Sequence, residues 1–148
     1  MGQNQHKMSK PALSIAIPCY NEAHNIPLIL KRFAEVKGEL DLEVILVNNG
    51  STDNSEEVLK KELQKPEYSF ARTVLVPNNV GYGHGIMFGI RECKSDIIGY
   101  THADMQCDPV DTIRAYNILC QQNQPKDHLV KGWRRNRKTT PKLLALGY

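Results

Sequence analysis

The sequence predicts an α/β fold of three layers, α/β/α, built on a mainly parallel sheet. Short apolar runs alternate with helical segments of about a dozen residues along the chain, the pattern of successive βαβ units. Polar and glycine-rich stretches fall directly after the apolar runs, where open parallel sheets collect their ligands. The length of 148 residues with 41% hydrophobic content suffices for one core and one domain.

The elements follow in order. A polar leader over residues 1–12, expected to be mobile, precedes LSIAIP (Leu13 to Pro18), an uninterrupted apolar run that reads as a buried strand. Ile26, Ile29, Leu30, Phe33 and Val36 recur at helical spacing, with Pro27 in the first turn and Gly38 as a stop. EVILV (Glu43 to Val47) is the second strand, NNGSTDNS (Asn48 to Ser55) a polar turn, and Val58, Leu59 and Leu63 mark a helix ended by Lys65-Pro66. ARTVLV (Ala71 to Val76) is the third strand and GHGIMFGIRE (Gly83 to Glu92) a glycine-tolerant helix. DIIGYT (Asp96 to Thr101) is the fourth strand. A helix then runs to about Gln121 with Asp108 as N-cap and Pro109 at its first position. HLVKG (His128 to Gly132) closes the pattern as a fifth, weaker strand.

Composition narrows the function. No apolar stretch approaches the ~18 residues of a membrane span, and MGQNQHKMSK has no signal-peptide core, so a cytoplasmic protein is expected. Cys19, Cys93, Cys107 and Cys120 lie far apart without CxxC pairing, which fits reduced thiols rather than a zinc site or disulfide framework. Between Lys126 and Lys142 seven basic residues face Asp127 as the one acid, while the rest of the chain is net acidic. That local charge suits a solvated face, an anionic ligand or peripheral contact with a membrane surface. With Trp133 as its sole aromatic residue it makes a poor nucleic-acid site, and no nucleic acid is expected as a partner.

Four stretches carry the chemistry. PCYNE (Pro18 to Glu22) joins a rigid turn, an aromatic face and a carboxylate. A base could stack on Tyr20 with Glu22 as acceptor, or the stretch could be only a strand exit and helix cap. In NNGSTDNS, Ser51, Thr52 or Asp53 can cap the next helix, while the Asn49 amide offers both donor and acceptor to a base edge. NNVGYGHGIMFG (Asn78 to Gly89) suits either close backbone approach to phosphates at Gly81 and Gly83 or tight helix–sheet packing. Its glycines depart from GxGxxG and follow the third strand, unlike a dinucleotide fingerprint. In THADMQCDP (Thr101 to Pro109), His102, Asp104 and Gln106 alternate and would converge if the chain stays extended, giving ligands for Mn²⁺ or Mg²⁺ completed by diphosphate oxygens. His102 could equally be a structural histidine.

Taken together, SIAIPCYNE, VNNGSTDNS, NVGYGHGIMFG and HADMQCDP resemble the successive signatures of family 2 glycosyltransferases with the GT-A fold, especially the dolichol- and polyprenyl-phosphate sugar synthases. The likeness covers most of residues 13–134. It implies that Pro18, Tyr20 and Glu22 hold the base, that Asn49, Ser51 and Asp53 stand in a motif that normally reads DDGSTD, and that Gly81, Gly83 and Ala103 lie along the donor. Asn48 and Asn49 replace the two leading acids. Asp104 and Gln106 match the DADLQ metal motif with His102 in place of its first aspartate, and Arg134 in GWR matches a segment that meets a phosphate. Asp104 and Arg134 are thereby the expected catalytic residues. The implied reaction transfers a sugar, with inversion, from a UDP- or GDP-linked donor to an acceptor expected to be a polyprenyl phosphate. Such an acceptor is already ionised, leaving alignment and charge stabilisation as the protein's work. Residues 135–148 read as a basic start to a missing acceptor-side region. A silent nucleotide-sugar-binding module and an unrelated doubly wound nucleotide-binding domain are the alternatives.

Overall fold

The computed structural model describes residues 9–133. Strands β1 (Leu13–Cys19), β2 (Leu42–Asn49), β3 (Ala71–Val76) and β4 (Ile98–Tyr100) alternate with helices α1 (Ile26–Val36), α2 (Ser55–Glu62), α3 (Tyr82–Glu92) and α4 (Val110–Cys120). The sheet order is β3-β2-β1-β4, and every pairing is parallel. From β1 the chain steps outward through β2 to β3, then crosses back to place β4 on the other side of β1. The crevice where the order reverses opens at the carboxyl ends of β1 and β4, the position at which such sheets bind ligands.

β1 and β2 are buried at every residue, which explains why they read as continuous apolar runs rather than alternating ones. One set of side chains, including Ile15, Ile17, Val44 and Leu46, packs with Ile29, Leu30 and Phe33 of α1, Leu59 of α2 and Ile113 of α4. The other set, with Ile45, Val47 and Val76, meets Phe88 of α3. Thus α1, α2 and α4 cover one face and α3 the other. Each fully buried large side chain contributes about 1.5–3 kcal/mol. α3 comes in close because it presents glycine to the sheet: a Cβ on Gly89 would lie 2.8 Å from Val47 Cγ2 and 2.9 Å from Ala16 Cβ.

At the amino end of the sheet Glu43 is buried and fully engaged. Its carboxylate accepts from Ser14 Oγ at 2.6 Å, the Lys94 N–H at 3.0 Å and Arg72 Nε at 3.1 Å. Burial alone would raise its carboxyl, but these hydrogen bonds and the Arg72 charge outweigh it and hold the group below its ordinary value.

Several sequence expectations need correction. β2 continues through Asn48 and Asn49, which pair with Leu75 and Val76, so the turn begins at Gly50. Residues 128–132 form no strand, and Leu129 is 91% exposed. The leucine and valine there suggested a core-facing run, yet a strand exists only where a neighbour accepts its ladder. α4 starts one residue later than expected, with Pro109 before its first residue. Asp108 still supplies capping chemistry, since its carboxylate accepts from the Val110 N–H at 2.9 Å, and its ion pair with Arg32 at 2.8 Å joins α4 to α1.

Candidate functional site

Three loops leave the carboxyl ends of β1, β2 and β4, and two of them are stitched together. Asn21, in the left-handed region at φ 55°, accepts from the Thr52 N–H at 2.8 Å and the Asp53 N–H at 3.2 Å through Oδ1. Ser51 Oγ accepts from the Asn21 N–H at 3.1 Å, and Ser55 Oγ from the Glu22 N–H at 3.0 Å. Asp53 accepts from the Ser55 N–H at 3.0 Å and from the Ala23 N–H at 3.4 Å. Burial acts most strongly, to raise its carboxyl, but the hydrogen bonds together prevail and lower it. Ser51 and Asp53 therefore serve the joint between the loops and do not line the adjoining pocket.

That pocket, about 280 Å³, is walled by Pro18, Tyr20 and Glu22 from the first loop, Asn49 from β2, and His102, Ala103 and Asp104 from the loop after β4. Asn79 and Tyr82 complete it from the β3–α3 connection. Seven residues singled out in the sequence thus converge. Tyr20 keeps 45% of its surface exposed at the rim, free to stack on a planar ligand. Asn49 is 2% exposed. Its Nδ2 donates to Gly81 O at 3.3 Å, while its buried Oδ1 has no hydrogen-bond partner. An orphaned buried acceptor is costly and marks a place where a ligand donor would be welcome.

The fourth motif does not run extended. Met105 sits at φ 59°, and the Gln106 N–H donates to Asp104 Oδ1 at 3.1 Å, so the chain reverses between the two side chains. Gln106 consequently does not reach the pocket, and the expected convergence of His102, Asp104 and Gln106 is broken. Among the described residues no three of His, Cys, Asp and Glu gather as a metal site. Asp104 remains exposed at the pocket wall. His102 instead meets Tyr82: the rings are parallel within 5° at 5.1 Å, with Oη 2.9 Å from Nδ1.

The glycine stretch divides between its two readings. Gly85 and Gly89 are packing positions, where a Cβ on Gly85 would come within 2.9 Å of Asn49 Nδ2 and 3.2 Å of Pro18 Cβ. Gly81 and Gly83 face open space, and neither lines the pocket, although Gly81 O fixes Asn49. Cys19 lies buried under the site, where burial first and the Glu22 charge second push its thiol far up, leaving it inert. Arg134 falls outside the described residues, as do Arg135, Arg137, Lys138 and Lys142.

The model of the glycosyl transferase family 2 domain matches residues 14–140. The chain belongs to that family. Among relatives of this family 2 chain, an undecaprenyl-phosphate 4-deoxy-4-formamido-L-arabinose transferase of Pseudomonas syringae is 33% identical over 111 residues, covering 74% of this chain and 33% of the relative. Its namesake from Yersinia enterocolitica is 35% identical over 108 residues, covering 72% of this chain and 33% of the relative. The chain spans about one third of the length of these curated relatives. The fold is shared with solved structures. The mannosyltransferase PcManGT of Pyrobaculum calidifontis, in complex with GDP-Man and Mn²⁺, aligns at TM-score 0.61 and 24% identity over 72% of this chain and 31% of its own. Glucosyl-3-phosphoglycerate synthase of Mycobacterium tuberculosis, with Mn²⁺, UDP and glucosyl-3-phosphoglycerate, aligns at TM-score 0.59 and 21% identity over 75% and 40%.

Sequence reasoning passed over Asn79 and Tyr82 as contributors to this family 2 pocket. The signal for Tyr82 was available, since an aromatic residue flanked by two glycines at a helix start has few packing reasons to be there.

Proposed function

We propose that the pocket binds the donor of a glycosyltransferase, a UDP- or GDP-linked sugar, for transfer with inversion to a polyprenyl phosphate. The observation that carries this reading is the orphaned Asn49 Oδ1 in a pocket whose rim holds Tyr20: an acceptor and a stacking face together suit a planar base bearing an N–H. Uracil N3–H and guanine N1–H both meet that requirement. Pro18 and Glu22 shape the base side, and Ala103 and Asp104 the diphosphate side. The named activity of the undecaprenyl-phosphate relatives supports the lipid-phosphate acceptor, with Arg134 and the basic residues after it as candidates to meet that phosphate or a membrane surface.

The residues fit Mn²⁺ or Mg²⁺ only as a metal shared with the donor. One pocket carboxylate, Asp104, is sufficient where diphosphate oxygens and waters supply the remaining ligands, and the Mn²⁺ in both solved complexes accompanies a nucleotide. When bound, the cation would neutralise charge developing on the departing diphosphate. Asp104, with its orientation set by the Gln106 N–H, would hold it. The stitched first and second loops would keep the nucleoside in place.

Calorimetry with UDP- and GDP-sugars, with and without Mn²⁺, tests the reading. Donor affinity should rise with Mn²⁺, and Asp104→Ala should abolish the rise while leaving stability within about 0.5 kcal/mol of the parent, as expected for an exposed side chain. Metal-independent binding untouched by that substitution would remove Asp104 from the site. A nucleotide-sugar-binding module without turnover is a second reading, favoured by Asn48, Asn49 and His102 where the resemblance expects acids. It predicts binding without sugar release even in the presence of lipid phosphate.

A further inference from the structure

We infer that Tyr82 holds His102 as a hydrogen-bond donor to the nucleotide, and that His102 is not a ligand of the metal. Its ligand depends on the nucleotide-binding reading above, but its hydrogen-bonding state is set by the protein alone. Tyr82 opens α3 and His102 follows β4, so their contact joins two elements across the pocket. Tyr82 Oη lies 2.9 Å from Nδ1 with the rings parallel at 5.1 Å. A phenol is a strong donor, and a neutral imidazole offers one lone pair and one N–H. With the phenol donating to Nδ1, the imidazole proton resides on Nε2.

That tautomer has a definite consequence. A histidine that binds a metal through Nε2 needs its lone pair there and donates from Nδ1 to a carboxylate or carbonyl. At Nδ1 His102 meets the Tyr82 hydroxyl, which in the donating role assigned to it occupies the Nδ1 lone pair and leaves the ring proton on Nε2. Nor does the neighbourhood offer a cation cage, since no three potential ligands gather among the described residues. The remaining polar group is Nε2–H, which can only donate, whereas an aspartate in the same place could only accept. The substitution of histidine for the first acid of the motif therefore reverses the polarity of this wall, and the partner it selects is an oxygen of the nucleotide. Tyr82 is accordingly a positioning residue, acting through His102.

The test uses the 148-residue chain in two arms. Long-range ¹⁵N–¹H correlation spectra of the ligand-free protein should show His102 protonated at Nε2, with that preference lost in Tyr82→Phe. Protonation at Nδ1 overturns the inference whatever binds. Calorimetry with UDP and GDP should show His102→Ala weakening the better ligand about tenfold both with and without Mn²⁺, His102→Gln recovering part of the loss through its amide donor, and Tyr82→Phe falling between. A loss confined to the Mn²⁺ titration would make His102 a metal ligand and overturn the inference. If neither nucleotide binds the parent chain, the nucleotide reading fails together with the ligand assigned to His102, and the spectra of the free chain tell that failure apart from a wrong tautomer.

Discussion

Glu43 and Asn49 stand on the same strand and the same face, six residues apart, and their environments are opposite. Glu43, at the amino end of β2, is charged and buried, yet Ser14, Arg72 and the Lys94 N–H satisfy it. Asn49, at the carboxyl end, is neutral and buried, yet its Oδ1 is left without a partner. The fold evidently can satisfy even a buried carboxylate when stability is all that is at stake. The unpaired amide oxygen at the other end of the strand is therefore informative: it is the buried acceptor on which the proposed donor site rests. The loops at the carboxyl end differ among themselves. Asn21, Ser51 and Ser55 bind the two loops beside Asn49 into one preformed wall, whereas the loop after β4 depends on the Tyr82–His102 contact and on the local turn at Met105.

The largest expected effect breaks the satisfied end. Glu43→Ala leaves the Ser14 hydroxyl and the Lys94 N–H without their acceptor and takes one of two carboxylate partners from Arg72, which keeps Glu92. It should cost about 3 kcal/mol in urea unfolding, with nucleotide affinity unchanged. The same carboxyl should appear in the pH profile. Its folded value is depressed, so its contribution is complete above the unfolded value of about 4.3 and is lost as pH falls through the lower folded value. Glu43→Gln should flatten that acid limb. A smaller loss, about 2 kcal/mol, is expected for Asn49→Asp, which buries a charge and trades the donor to Gly81 O for an acceptor. If Asn49→Asp were instead neutral, the bond to Gly81 would not be the reason for asparagine here.

Asn21→Ala should cost about 1–2 kcal/mol by removing the acceptor that joins the loops and leaving alanine at φ 55°. Donor affinity should fall with it, because that wall would no longer be preformed. The smallest effect sharpens the comparison from outside the pocket. Gly83 is helical with open space at its Cβ, so Gly83→Ala should stabilise by about 0.5 kcal/mol and leave donor binding intact. A lost affinity in calorimetry would instead restore close phosphate approach at Gly83.

Much of this was legible in the chain. α1 and β3 fall where the sequence places them, because a buried helix stripe and a short run of β-branched and apolar residues leave local signatures that do not depend on distant residues. The fifth strand was not, since His128 to Gly132 has the composition of a strand without a neighbour to pair with. In the site, PCYNE and the His102–Asp104 segment were readable as polar residues at strand ends. The assignments of Ser51, Asp53 and Gln106 to the ligand were a different matter: Ser51 and Asp53 are spent on bonds to Asn21 and Ala23, some thirty residues earlier, and Gln106 is turned away by Met105.

The sequence by itself determined that strands and helices alternate, that the polar loops gather at one end of a parallel sheet, and that the chain resembles the family to which it belongs, because apolar periodicity and turn chemistry are encoded locally. Only the tertiary structure decided which polar residues face the pocket and which hold its walls. That distinction depends on register and on hydrogen bonds between loops far apart in the chain, where one amide oxygen satisfied by Thr52 and another left unpaired beside Gly81 are both simply asparagine in the sequence.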